Sequence, residues 1–126
     1  MVQHRLARLE SLLKQGMADI LEREIKDLTP GLVTITRVIL SRDLRHAKFY
    51  LSIYGSEEAQ DRAMAVLTNK AKRVRGLISR RVKMRYTPEI AFIQDKSLEE
   101  ASHILKLMKD IERESAERGR RRSKKI

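Results

Sequence analysis

The sequence predicts an α+β fold with the element order α-β-β-α-α-β, followed by one more helix. Three observations support it: apolar residues at helical spacing, two neighbouring segments with strand character, and a third short apolar strand near residue 90. The chain has 126 residues, which is the length of a single domain. It has no cysteine, and this excludes disulfides, thiolate metal sites and a catalytic thiol.

The first helix and the two strands after it follow from side-chain patterns. Apolar residues recur every three or four positions from Leu6 to Ile25, and the Pro-Gly pair at 30–31 ends this helix. Residues 32–40 are rich in β-branched side chains and predict a strand. Residues 47–54 alternate between apolar and polar side chains, which predicts a second strand with one buried face. The short polar connection between the strands predicts an antiparallel hairpin.

The second half of the chain begins with a helix signal at Ser56, whose side chain can cap a helix N-terminus. An apolar stripe then continues to Val82, and we expect a bend to divide it into two helices. Residues 90–93 predict the third strand. Ser97 begins the last helix, and its periodicity ends at Ile111.

No linker or repeat interrupts the chain before the end of this periodicity. Residues 1–112 therefore form the predicted domain. Residues 113–126 form a predicted basic tail without fixed structure, because a run of like charges repels itself.

Positive charge is concentrated in two segments of the chain. The formal net charge is +11. Residues 70–85 contain eight basic residues and no acidic residue, and residues 118–126 add six basic residues. An ordinary solvated helix face usually carries acids at i±4, which the first segment lacks. This focused pattern predicts a nucleic-acid partner.

The candidate RNA-binding residues form three groups. The basic segment supplies Lys70, Lys72, Arg73, Arg75, Arg80, Arg81, Lys83 and Arg85. On a helical wheel, Gly76 and Ser79 share an arc with Lys72, Arg73, Arg80 and Lys83 and would let a phosphate backbone approach closely. The hairpin turn adds Arg42, Arg45 and Lys48, for which protection of the sheet against aggregation is the alternative. The tail offers weaker phosphate contacts through Arg120, Arg121, Arg122, Lys124 and Lys125.

Other functions lack the residues that they require. Gly-rich phosphate loops do not occur, and the three histidines are far apart, so we expect no enzyme activity, no metal and no cofactor. Tyr50 and Tyr54 are the candidate stacking residues, but packing is the commoner role of such tyrosines. The sequence therefore predicts little recognition of single-stranded RNA by base stacking. No apolar run is long enough to span a bilayer. We therefore expect a cytoplasmic binding protein with no membrane or small-molecule ligand.

Three segments of the sequence resemble the ribosome-binding factor A family. They are residues 18–27 of the first helix, the hairpin from Val38 to Gly55 with its Ser-Arg-Asp-Leu turn, and residues 82–97 with Arg-Tyr-Thr-Pro-Glu-Ile-Ala-Phe. The resemblance implies a type II KH-like domain with helices on one face of a three-stranded sheet. In place of the Gly-x-x-Gly loop of KH domains, that family has an Ala-x-Gly kink, and Lys70 and Lys72 stand at those positions here.

The resemblance also implies a function. It implies a non-catalytic factor in late maturation of the bacterial small ribosomal subunit, including processing of the 5′ end of 16S ribosomal RNA, with a link to cold adaptation. The leading hypothesis is a monomeric assembly factor that binds the free 30S subunit through 16S rRNA. The alternatives are a general nucleic-acid chaperone or DNA-associated basic protein, and an adaptor whose basic face binds an acidic protein.

Overall fold

The structure, a computed structural model, describes residues 2–29 and 31–124, and the side chains of residues 4–29, 31–97 and 100–118. The chain forms two compact units, residues 1–95 and residues 96–126. The elements in chain order are α1 (Val2–Ile20) with a π-helical turn (Leu21–Ile25), β1 (Leu32–Leu40), β2 (His46–Tyr54), α2 (Glu57–Asn69), α3 (Ala71–Arg81), β3 (Glu89–Gln94) and α4 (Ser97–Lys124). The predicted α+β fold is confirmed.

The three strands form one sheet in the order β1-β2-β3. β1 and β2 pair as the predicted antiparallel hairpin, from Leu32 opposite Tyr54 to Leu40 opposite Ala47, with a register shift at Thr36. β3 pairs with β2 in parallel. A parallel pair needs a long crossover connection, and α2 and α3 supply it.

Glycine is required in the turn that leads from α1 into the sheet. Gly31 has a φ of +80°, a left-handed conformation that residues with a Cβ rarely adopt. A Cβ at this position would also collide with the carbonyl oxygen of Tyr54. The helical backbone ends at Ile25, the last apolar position of the predicted periodicity, and Gly31 then turns the chain into β1.

The core lies between the sheet and the helices of the first unit. Each apolar position of β2 is at most 3% exposed, namely Ala47, Phe49, Leu51 and Ile53. The same core contains Leu13, Met17 and Ile20 from α1, Leu67 from α2, and Val74 and Ile78 from α3. All of these contacts are on one face of the sheet, as predicted. The other face carries the alternate residues of β2.

Lys70 forms the junction between α2 and α3. Its φ of −92° and ψ of 1° lie in a region open to residues with a Cβ, so the kink does not require glycine. The Lys70 N–H donates to the Val66 carbonyl at 2.9 Å, and its own carbonyl accepts from the Val74 N–H at 2.9 Å. The expected bend therefore occurs at a basic residue.

α3 ends earlier than the sequence pattern predicts. Its last residue is Arg81, and Val82 already has an extended backbone, with φ −117° and ψ 114°. Val82 is nevertheless buried, because an extended residue after a helix can still point into the core. Lys83 consequently lies beyond the helix, which corrects its predicted position on the arc of the basic helix.

α4 belongs to the second unit and is longer than predicted. The helix continues to Lys124, whereas the sequence predicted a helix end near Ile111 and an unstructured tail. Residues 112–118 are mostly strong helix formers, and Arg113 pairs with Asp110 at 3.1 Å, so this stretch does not need an apolar stripe to remain helical. The functional boundary at residue 112 stays a prediction.

The apolar side chains of α4 are exposed where they are described, with Leu105 at 58%, Met108 at 54% and Ile111 at 62%. Within the described residues, the structure has no helix with the length and apolar character needed to cross a bilayer.

Candidate nucleic-acid interface

α3 has an apolar inner face and a basic outer face. Val74 and Ile78 are completely or almost completely buried in the core. The side chains of the outer face are exposed, and we define this face by Lys72, Gly76, Ser79 and Arg80. Neither of these cations has a hydrogen-bond or ion-pair partner among the side chains that the structure describes. The outer face of α3 is therefore available to a polyanion.

The outer face has a shallow gap between its two cations. A Cβ built on Gly76 would meet no atom within 4 Å, so open space surrounds this glycine. Ser79 keeps its hydroxyl against the helix by donating to the Gly76 carbonyl at 2.7 Å. A glycine inside a helix costs about 0.5–1 kcal/mol relative to alanine. No contact of Gly76 within the described protein compensates for this cost. A phosphate backbone that approaches the helix closely at Gly76 would compensate for it.

The distribution of charge along α3 also disfavours a purely structural role. The first turn contains Lys72 and Arg73 and no acid. Cations at a helix N-terminus oppose the macrodipole, whereas Arg80 and Arg81 in the last turn agree with it. The basic first turn thus weakens the helix while it strengthens attraction for an anion.

Three predicted arginines are partly committed to contacts within the protein. Arg73 Nη2 lies 3.4 Å from Glu24 Oε2, and Arg81 Nη1 lies 3.2 Å from Asp19 Oδ2. Arg75 faces β3, where it lies 3.4 Å from the Glu89 carboxylate. These pairs join α3 to α1 and to the sheet, so these arginines have less charge to offer RNA.

The hairpin turn presents Arg42 and Arg45 through a hydrogen-bonded polar turn. The Ser41 hydroxyl donates to Asp43 Oδ1 at 2.6 Å, and the Arg45 N–H donates to the same oxygen at 3.1 Å. The Ser41 hydrogen bond, followed by that from Arg45, holds the pKa of Asp43 below its ordinary value of 3.8. Leu44 completes the turn with a φ of +62°. The Ser-Arg-Asp-Leu sequence therefore fixes the turn that displays the arginines.

Not all predicted residues lie on one surface. Lys48 alternates with the buried Ala47 and Phe49, so it projects from the open face of the sheet, away from the helices. Lys70 is half-buried at the helix junction. The side chains of Arg120, Arg121, Arg122 and Lys124 are outside those described, and Lys125 lies outside the described residues. Their tail contacts stay predictions.

The structure brings together residues that the sequence analysis treated separately. A recess of about 430 Å³ lies between the hairpin turn, α3 and the loop before β3. Its lining residues are Arg45, His46, Arg75, Tyr86, Thr87 and Glu89. Sequence reasoning named Arg45 and Arg75 but missed Tyr86, which is 66% exposed. The sequence signal that could have identified Tyr86 is its position between Arg85 and Thr87-Pro88, directly after the acid-free segment.

The two tyrosines that the sequence analysis considered have different surroundings. The Arg37 guanidinium lies 4.0 Å from the centre of the Tyr50 ring, so one face of this ring is already covered. Tyr54 is 81% exposed at the end of β2, on the open face of the sheet. Neither tyrosine lines the recess beside α3.

Comparisons with known proteins cover most of the chain. The family model described as "Ribosome-binding factor A" matches residues 5–108. The chain belongs to the ribosome-binding factor A family. It is 42% identical over 114 residues to ribosome-binding factor A of Thermomicrobium roseum, covering 90% of this chain and 88% of that protein. It is 44% identical over 121 residues to that of Gloeobacter violaceus, covering 94% of each.

Solved structures of this family have the same fold. The crystal structure of ribosome-binding factor A from Thermus thermophilus matches with a TM-score of 0.62 at 29% identity, covering 71% of this chain and 94% of that one. A homology model of the Thermus thermophilus factor, fitted into a cryo-EM map of its complex with the 30S subunit, matches with a TM-score of 0.61 at 28% identity. It covers 71% of this chain and 93% of that one. The family and KH-like fold that the resemblance implied are confirmed.

Metal chemistry has no site in the described part of the chain. No group of three or more histidine or acidic side chains there is arranged to hold a metal ion.

Proposed function

We propose that this chain binds the free 30S ribosomal subunit through 16S rRNA and assists late maturation of that subunit without catalysing a reaction. The observation that carries the proposal is the outer face of α3, whose two cations have no partner among the described side chains. Membership of the ribosome-binding factor A family supports it. A relative from Thermus thermophilus has been fitted into a map of a 30S complex.

The chemistry of this surface favours recognition of the RNA backbone. Lysine and arginine contact phosphate oxygens without regard to sequence. The gap at Gly76 admits a phosphate between Lys72 and Arg80. Arg45 of the hairpin turn lines a recess together with Arg75 of α3 and adds a further cation. Recognition of the 30S subunit would then depend mainly on the shape and backbone of its RNA.

The proposal has a finer part: the chain assists processing of the 5′ end of 16S rRNA, a reaction that other enzymes catalyse. The chain would act on their substrate by binding the immature subunit and would leave it before translation begins. We propose that it does this in the cytoplasm and as a monomer.

Co-sedimentation with purified ribosomal particles tests the binding proposal. The chain is mixed with small subunits, large subunits and assembled ribosomes over a series of salt concentrations. Binding to small subunits that persists near physiological salt, with little binding to the other two particles, is the expected result. Equal binding to all three particles that disappears together as salt rises would contradict it. That outcome would favour a general nucleic-acid chaperone.

Primer extension on 16S rRNA tests the finer role. Cells that lack this chain should accumulate 16S rRNA with an unprocessed 5′ end, and the intact chain should restore processing. A variant with Lys72→Glu and Arg80→Glu should not restore it. Mature 5′ ends at the normal level in cells that lack the chain would refute a role in processing and leave the binding proposal intact.

A further inference from the structure

The recess between the hairpin turn and the loop before β3 has the features of a nucleotide site. We propose that it binds one unstacked RNA nucleotide, with the base on Tyr86 and the phosphate on Arg45. This inference rests on the proposed function, because it names the kind of RNA feature that the chain recognises. The volume of about 430 Å³ lies within the roughly 300–1,000 Å³ of small-ligand sites.

Tyr86 provides the stacking surface. It is 66% exposed, although burial of a large aromatic side chain would stabilise the fold. The Arg85 guanidinium lies over the ring at 5.8 Å from its centre, a loose contact. The exposed ring surface is available to a base, and every base has a π-face that can stack on an aromatic ring.

The walls of the recess are held in place without a ligand. Arg75 Nη2 donates to the Thr87 carbonyl at 2.8 Å, and its Nε donates to the Pro88 carbonyl at 3.2 Å. The Glu89 N–H donates to the Arg45 carbonyl at 2.7 Å, which ties the loop to the hairpin turn. A site that is already ordered loses little conformational entropy when it binds.

Two polar side chains of the recess are available as hydrogen-bond donors. The Arg45 guanidinium and the His46 ring interact electrostatically with the Asp43 carboxylate, but neither makes a hydrogen bond or ion pair with another described side chain. The guanidinium matches the geometry of a phosphate, and the imidazole can hydrogen-bond to a base edge. The Glu89 carboxylate adds an acceptor for base amino groups.

These features select an unpaired base over duplex RNA. A base in a duplex is stacked on both sides and cannot place its face on Tyr86. A bulged or single-stranded base is free to rotate out of its strand and enter the recess. The recess would therefore add selectivity for an unpaired position to the backbone contacts of α3.

Two RNA hairpins test this inference. One carries 2-aminopurine as a single-nucleotide bulge, and the other carries it base-paired in the stem. Each is titrated with the intact chain and with Tyr86→Leu, Tyr86→Phe and Tyr54→Leu, and affinity and 2-aminopurine fluorescence are recorded. Tyr54→Leu is the matched control, because it removes an exposed ring outside the recess. Thermal midpoints verify folding, which the exposed position of Tyr86 should preserve.

We expect the intact chain to bind the bulged hairpin more tightly and to quench its fluorescence. Tyr86→Leu should lose roughly fivefold or more in affinity for this hairpin and should bind both hairpins alike. Tyr86→Phe and Tyr54→Leu should remain within about twofold of the intact chain. Equal binding of both hairpins by the intact chain, or equal losses in Tyr86→Leu and Tyr54→Leu, would overturn the inference.

Co-sedimentation separates this inference from the proposed function. Small-subunit binding by the intact chain, together with an unchanged hairpin preference in Tyr86→Leu, refutes the nucleotide site alone. Failure of the intact chain to bind small subunits refutes the proposed function, whatever the hairpins show.

Discussion

Arg80 and Arg81 are adjacent in α3, yet they lie in different regions of the molecule. Arg80 projects from the outer face and has no partner among the described side chains. The Arg81 side chain is 32% exposed and pairs with Asp19 of α1 at 3.2 Å. One residue type thus serves two purposes on one helix, and only its surroundings distinguish them.

The flanks of α3 use charge to join elements, and the outer face leaves charge free. On the flanks, Arg73 and Arg75 pair with acids, as Arg81 does. On the outer face, Lys72 and Arg80 remain available to a partner. A count of basic residues between 70 and 85 therefore overestimates the charge that can bind RNA. The comparison predicts that stability and RNA binding respond separately to substitutions in α3.

The inner face should give the largest effect on stability. Ile78→Ala removes a side chain that is 1% exposed and should lower the free energy of unfolding by about 2–5 kcal/mol. The thermal midpoint should fall by at least about 8 °C. Small-subunit affinity, measured where the variant is fully folded, should change less than about twofold. Ile78→Val provides a milder variant, with an expected cost of about 0.5–1.5 kcal/mol. Loss of affinity in folded Ile78→Val would contradict the separation.

Gly76 should give opposite signs for stability and binding. Gly76→Ala should raise the free energy of unfolding by about 0.5–1 kcal/mol, because alanine favours the helix and open space surrounds the position. Small-subunit affinity should fall, and it should fall further in Gly76→Gln, whose side chain fills the gap. Thermal melts and co-sedimentation measure the two effects. Unchanged affinity in Gly76→Gln would exclude a close approach of the RNA backbone.

The flank should give a small effect on stability. Arg81→Gln and Asp19→Asn should each lower the free energy of unfolding by less than about 1 kcal/mol, because the pair is partly exposed. The double variant should cost less than the sum of the single variants, which a double-mutant cycle measures in denaturant melts. Additive effects would show that the Arg81–Asp19 pair contributes nothing to stability.

The hairpin turn should give the smallest effect, and it should depend on pH. The pKa of Asp43 is lowered in the folded chain by the Ser41 and Arg45 hydrogen bonds. Its ionised form therefore stabilises the fold above the unfolded pKa, and this contribution disappears as the pH falls through the lowered folded pKa. Asp43→Asn should have a slightly lower thermal midpoint than the intact chain at neutral pH and an equal one near pH 2. A difference that persists in acid would contradict this origin.

Periodicity and turn residues were sufficient to predict the element order, because each element of the first unit buries one face. The alternation in β2 placed Phe49 and Leu51 in the core, and the apolar periodicity placed the end of the first helix at Ile25. The parallel pairing of β3 was not predicted, since strand pairing depends on residues far apart in the sequence. The predicted end of α3 was wrong by one residue, at Val82. A buried residue fits an apolar pattern whether its backbone is helical or extended.

The candidate site was only partly predictable. The acid-free segment identified α3 as the candidate RNA-binding helix. The pairing of Arg81 with Asp19 could not be predicted, because it depends on a contact between residues 62 positions apart in the sequence. Tyr86 was missed because a single aromatic residue in a loop has no periodicity. The extent of α4 past Ile111 was missed because paired charges, and not apolar spacing, accompany its continuation.

The salt dependence of small-subunit binding tests the role of the outer face most directly. Lys72→Gln with Arg80→Gln removes two charges from that face, and Arg73→Gln with Arg81→Gln removes two charges from the flank. Each phosphate contact contributes roughly 0.7–0.9 to the slope of log affinity against log salt. We predict that the outer-face variant lowers this slope by about 1.4–1.8 and that the flank variant lowers it by less than about 0.5. Equal changes in the two variants, or a larger change in the flank variant, would contradict the assignment of the outer face of α3 to RNA.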